Sequence, residues 1–185
     1  MSYKHTWLND IHIFLFKDIP NFFRNLWKFK KALWNHHWYD YSGTLQFLEI
    51  GIDDISKNLK ERGIEVEHSR LKKVESMNRA VQILTNIRDS NYFDLVEAEM
   101  GRKYNGKKFE FVPCEDKLNY YELIDYDTNE EKEFNDRYFS RVTELEEQEW
   151  AELWEILKGQ DYTKFDKNKN WDDQFNGSGL RGWWD

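Results

Sequence analysis

The chain has 185 residues, 34% of them charged and 17% aromatic, with nine Trp, nine Gly, two Pro, one Cys and a formal net charge of -8. A mean hydropathy of -0.92 alone would suit a disordered chain, but disordered chains are poor in aromatics, so the composition indicates one globular domain that sets large rings against a charged surface. The few Gly and Pro argue against a turn-rich all-β fold. The negative charge argues against a general nucleic-acid binder, and the lone Cys114 excludes a disulfide framework and a cysteine zinc site and suits a reducing cytosol.

In chain order, IHIFLF lacks the flanks of a signal peptide, and no run approaches the roughly 18 apolar residues of a membrane span. Pro20 opens NFFRNLWKFKKALW, in which Phe22, Phe23, Leu26, Trp27, Lys30, Leu33 and Trp34 mark an amphipathic helix with basic residues on its far side. NHHWYDYSG breaks it. Tyr41, Leu45, Leu48, Ile52, Ile55 and Leu59 then recur at helical spacing up to Gly63, read as the residue just past the helix end. Leu71, Val74, Met77, Val81, Leu84 and Ile87 form a third helix, and the short connection makes the two an antiparallel pair. YFDLVEAEM reads as a shorter helix closed by Gly101. KKFEFVPC and KLNYYELIDY are the two segments that could pair as strands. Thr128 and Glu131 form a capping box for a helix reaching Lys158 and stopping at Gly159. The expected architecture is mostly α. It is an antiparallel helical bundle forming a single domain over 1–185, with a small two-stranded or irregular insertion at 102–127 and an extended C-terminal arm, 160–185, docked on the bundle.

Charge is uneven. Residues 1–37 carry six Lys/Arg against two Asp, and residues 128–158 carry nine Glu and one Asp against four Lys/Arg. Internal matching is the simpler reading; contact of the basic helix with a membrane or RNA is the alternative. Gly177, Gly179 and Gly182 satisfy G-x-G-x-x-G, but a dinucleotide site needs a strand before the glycines and a helix after them, and only Trp183, Trp184 and Asp185 follow. The glycines instead let Arg181, a fork for phosphate or carboxylate, and the stacking faces of Trp183 and Trp184 approach another surface, as a plug or as part of a site. Arg70 and Lys73 near a helix start could hold phosphate or form an acid-paired face. Glu149 falls on the apolar stripe of the last helix beside Trp150, so it needs a partner, expected to be Arg, Lys or an indole N–H. The EE-x-E run around it is similar to the EExxE motif by which all-α nucleotide pyrophosphohydrolases hold magnesium, though no ExxD partner accompanies it. His36 and His37 are adjacent and point apart, His5 and His12 lack a third ligand, and His68 suits a cap. No metal, cofactor or catalytic residue is assigned.

FRNLWKFKKALWNHHWYDY, SRLKKVESMNRAVQIL, EEQEWAELWEILKGQD and GSGLRGWWD together resemble a family of small tailed-bacteriophage proteins with an EExEW…ELW helix and a terminal RGWWD. The matching positions are Trp34, Trp38, Glu149, Trp150, Trp154, Arg181, Trp183 and Trp184. The resemblance implies a helical protein of the host cytoplasm made during infection, and it supplies no activity. The expected function is non-enzymatic binding: sequestering a nucleotide-type defence signal, with Arg181, Trp183, Trp184, Arg70, Lys73, Glu149 and Trp150 as ligand-binding candidates, or inhibiting a host defence protein. A virion or replication accessory role and a magnesium-dependent nucleotide hydrolase are the alternatives. Neither a membrane nor general nucleic acid is an expected partner, and homo-oligomerisation stays open.

Overall fold

A computed structural model describes residues 7–114 and 119–183, with side chains described from Asp10 onward. The fold is mostly α-helical with a small two-stranded antiparallel insertion. Two compact units are present, one made of residues 1–88 and 155–185, the other of residues 89–154.

In the first unit, α1 (Trp7–Ile13), a π-helical turn (Phe14–Asp18) and α2 (Ile19–Asn35) run on as one rod, with the Ile19 N–H donating to the Phe14 carbonyl across the junction. The helical course therefore begins well before Pro20. Pro20 sits in the first turn of α2, directly after the π-helical turn. α3 (Tyr41–Arg62) starts where Asp40 accepts from the Ser42 N–H at 2.9 Å and from its hydroxyl at 2.7 Å. A cap of this kind stabilises a helix by about 1 kcal/mol. The hydrogen bonds from Ser42 also hold the Asp40 carboxyl below its usual pKa.

α3 ends at Gly63, though for a different reason from the left-handed turn usual at such a glycine. Gly63 is extended, at φ -60° and ψ 135°. A Cβ there would lie 2.5 Å from the Leu59 carbonyl oxygen, so the position needs glycine for space. α4 (Glu67–Asp89) runs back antiparallel, tied to α3 by the Arg88–Glu49 ion pair and by a 2.8 Å bond from Ser56 to Asn78. Leu45, Ile52 and Leu59 of α3 are buried, as are Val74, Met77, Ala80, Ile83, Leu84 and Ile87 of α4. Each large apolar side chain so buried contributes roughly 1.5–3 kcal/mol against exposure. The α4 stripe differs in detail from its sequence pattern: Leu71 is exposed and Val81 half-buried, while Ala80 and Ile83 are inside.

The second unit holds α5 (Tyr92–Met100), closed by Gly101 at φ +64°, and the hairpin of β1 (Phe109–Pro113) and β2 (Tyr121–Asp125). The strands pair from Phe109 opposite Asp125 to Pro113 opposite Tyr121. α6 (Asn129–Lys158) follows, its residues up to Trp154 belonging to this unit. The capping box is present in both directions: the Thr128 N–H donates to Glu131 at 2.8 Å, and the Glu131 N–H donates to the Thr128 hydroxyl at 3.2 Å. Behind it, buried Asp127 accepts from the Lys108 N–H and from the Asn135 amide, so the carboxylate is satisfied where the hairpin meets the helix. Tyr138 is the ring at the centre, stacked on Tyr104 at 5.3 Å and on Phe134 at 5.9 Å. No described helix is long and apolar enough to cross a membrane.

Candidate functional site

Most of the residues singled out by the sequence, Arg70, Lys73 and those near the two ends of the chain, belong to the first unit. The C-terminal arm runs along the first turns of α4. Ser69, Lys72 and Ser76, spaced at i, i+3 and i+7, form one helix face, as helical periodicity requires. Lys72 donates to the carbonyls of Asp172 at 2.5 Å and Phe175 at 2.8 Å, Ser69 bonds the Asp172 carboxylate at 3.3 Å, and Ser76 donates to the Asn176 carbonyl at 3.0 Å. Gly177, at φ +80°, lies so close to α4 that a Cβ would sit 2.2 Å from the Lys72 carbonyl. Gly159 and Gly179, both at positive φ, bring the end of α6 against the arm, where the Gly179 N–H donates to the Ile156 carbonyl at 2.8 Å.

These approaches seat Trp183, which is 1% exposed and whose indole N–H donates to the Gly177 carbonyl at 2.7 Å. The ring is therefore buried with its polar atom satisfied, the arrangement a buried tryptophan needs. Trp171 stacks on buried Phe175 at 4.4 Å in the same arm.

The basic candidates at this corner have protein partners. Lys73 pairs with Glu65, its side chain 11% exposed, and Arg70 donates to the Gly63 carbonyl at 2.8 Å, closing the turn between α3 and α4. The structure thus brings Arg70, Lys73 and Trp183 into one region, with Arg181 exposed on the same arm. Trp184 lies outside the described residues.

Glu149 and Trp150 belong to the second unit. Glu149 is half-buried and accepts at 2.7 Å from the phenol of buried Tyr92. Trp150 is exposed. Of the other glutamates on α6, Glu144 pairs with Arg141 and Glu155 with Lys158. A 620 Å³ depression is spanned by Arg141, which bonds both Glu99 and Glu144. Among the described residues, no group of three His, Cys, Asp or Glu side chains is placed to hold a metal ion. His36 packs edge-on to Phe47, His37 stacks on Tyr39 and Cys114 is half-buried; His5 lies outside the described residues.

The N-terminal rod is built the opposite way. At 3.6 residues per turn, Phe22, Phe23, Leu26, Trp27, Leu33 and Trp34 of α2 occupy one arc of roughly 140°. All six are exposed, Trp27 at 72% and Trp34 at 88%. What α2 turns toward α3 is its small and polar side: Ala32 is its one fully buried residue, and Lys28 pairs with Asp54 of α3 at 2.5 Å. Phe29 alone among its rings reaches a ring of α3, Phe47, at 5.8 Å. Beside that contact runs a 270 Å³ apolar groove lined by Phe22, Asn25, Leu26, Phe29, Leu33 and Phe47. Ile11, Ile13, Phe14, Leu15 and Phe16 extend the exposed apolar side chains along the rod, and Trp38, 91% exposed, continues them beyond α2. Lys30 lies over the Trp27 ring, 3.3 Å from its centroid, while Arg24 and Lys31 are exposed at one margin of the arc.

The sequence named α2 as amphipathic but not its orientation. The signal was there in part: Ala32 and Lys28 share the side opposite the rings, a side that could pack closely without them. Compared with known proteins, the chain matches no family model, no curated protein and no solved structure.

Proposed function

We propose that this chain is a binding protein without catalytic chemistry, and that its working surface is the outward aromatic face of the N-terminal rod. One observation carries the reading. α2 packs on α3 through Ala32 and Lys28 and leaves six large apolar side chains in water, an arrangement that burial alone would reverse. Contiguous exposed apolar surface of this kind marks an interaction site in a water-soluble fold. The phage resemblance would make it a protein of infection that engages a host or viral component. Nucleotide capture at the arm draws less support, because Lys73, Arg70 and the Trp183 indole are already engaged by protein groups.

The test is site-directed photo-crosslinking in cells that express the full chain, with a benzophenone amino acid in place of Trp34 or, as a control, in place of exposed Trp154. Discrete adducts from position 34 in clear excess over position 154 are expected. Equal or absent adducts at the two positions would refute this reading.

A further inference from the structure

We infer that the partner of this face is an anionic lipid surface, on which the Trp7–Asn35 rod lies flat; the inference rests on the reading just given and names its occupant. It departs from the expectation of no membrane partner and takes up the membrane contact of the basic helix that stood as the alternative to internal charge matching; the lack of a spanning segment does not bear on it. A helix that lies in the interface needs no such segment. It needs strong separation of an aromatic face from a basic polar side at low net hydrophobicity.

Four features select lipid over protein. The exposed apolar residues follow one rod of 29 residues, about 43 Å long at 1.5 Å per residue, which suits a planar apolar slab better than a partner's pocket. Trp27 and Trp34 stand exposed on it, and tryptophan is a residue that prefers the headgroup level. Arg24 and Lys31 border the arc and Lys30 lies within it over Trp27, so basic groups stand where phosphates would be, while Lys28 is turned inward to Asp54. Finally, residues 1–37 carry six Lys/Arg against two Asp in a chain of net charge -8, so the rod is a basic segment that an anionic surface attracts.

The experiment is flotation of the full-length protein with vesicles of phosphatidylcholine alone or of phosphatidylcholine mixed with phosphatidylglycerol. The protein is expected to float with the mixed vesicles, to stay behind with phosphatidylcholine, and to be released by salt as the Debye length shortens. Arg24→Gln and Lys31→Gln should each lower the bound-to-free ratio about fivefold, and the pair about 25-fold, from the roughly 1 kcal/mol that each basic residue contributes near such a surface. Trp27→Ser with Trp34→Ser should abolish binding while the far-ultraviolet circular dichroism stays unchanged. Brominated acyl chains should quench tryptophan emission in the parent and not in that double variant.

Failure to float with either vesicle overturns the inference, as does equal flotation with both, or variants that float like the parent. If position 34 yields protein adducts and the protein does not float, the lipid inference fails and the interaction surface stands. If sedimentation shows a dimer that the two serine substitutions dissociate, and no flotation occurs, the occupant is a second copy and lipid is wrong. If position 34 gives no adduct of any kind and nothing floats, both readings fall.

Discussion

The two ends of this chain are both rich in tryptophan, and the fold treats them in opposite ways. Trp183 is sealed in the C-terminal arm with its indole N–H bonded to Gly177, whereas Trp34 stands in water on α2. Ring hydrophobicity does not distinguish them. Backbone approach does: Gly177, Gly159 and Gly179 let the arm come to contact distance with α4 and the end of α6, and a ring can then be covered on all sides. α2 has no such glycine, and it approaches α3 on Ala32 with Phe29 beside it and its other rings exposed. Apolar residues at an end of a chain therefore read as core or as docking surface according to what the neighbouring backbone allows.

The contrast predicts a graded set of stability effects. The largest belongs to Trp183→Ala, which empties a buried site and strips the donor from the Gly177 carbonyl; denaturant unfolding should show a loss of about 3–5 kcal/mol. A loss below 1 kcal/mol would mean that the arm does not hold the unit together. Next comes Gly177→Ala. Its φ of +80° and the 2.2 Å approach to the Lys72 carbonyl leave no room for a methyl group, so the arm must lift. A cost of about 1–3 kcal/mol and faster proteolysis within 160–183 are expected. Gly182→Ala, with nothing near its Cβ position, is the control.

Lys73→Met should cost about 1–3 kcal/mol by leaving Glu65 half-buried and unpaired, and adding Glu65→Leu should recover most of it. A double variant no better than the single would show that the pair's charge is not what matters there. At the other end, Trp34→Ala should move stability by no more than about 0.5 kcal/mol, since no packing is lost. A drop of several times that would place this ring in the core and collapse the comparison.

The smallest effect lies outside both ends, at the capping box of α6. The Lys108 ammonium and the Thr128 N–H and hydroxyl pull the Glu131 carboxyl down to about 2, below the ordinary value of 4.5. The group stabilises the fold above pH 4.5, where it is ionised folded and unfolded, and the stabilisation disappears as pH falls through about 2. Glu131→Gln should therefore flatten the acid limb of the stability curve between those values. An unchanged limb would show that the exposed cap contributes nothing measurable.

Much of the fold was legible residue by residue. The helical spacing from Tyr41 to Leu59 and the Thr128–Glu131 box are local codes: the structure realises the box in full and buries Leu45, Ile52 and Leu59 of the stripe, with Leu48 and Ile55 half-buried and Tyr41, at the helix start, exposed. The hairpin was legible from the alternation in KFEFV. The candidate surface was not. Ser69, Lys72 and Ser76 look like a polar solvated face because nothing local reveals that 172–176 lies 100 residues away in sequence and adjacent in space. Glu149 was marked as needing a partner, and one of its partners, Tyr92, comes from a helix 57 residues earlier in sequence, which no local pattern reveals.

By itself, then, the sequence determined the helices from Tyr41 to Lys158 and where they stop, because periodicity, caps and glycine spacing act within a few residues of one another. Only the tertiary structure decided which way each amphipathic face turns. That choice depends on what other backbone comes within a few ångströms, and here it sealed Trp183 and left Trp27, Trp34 and Trp38 facing out.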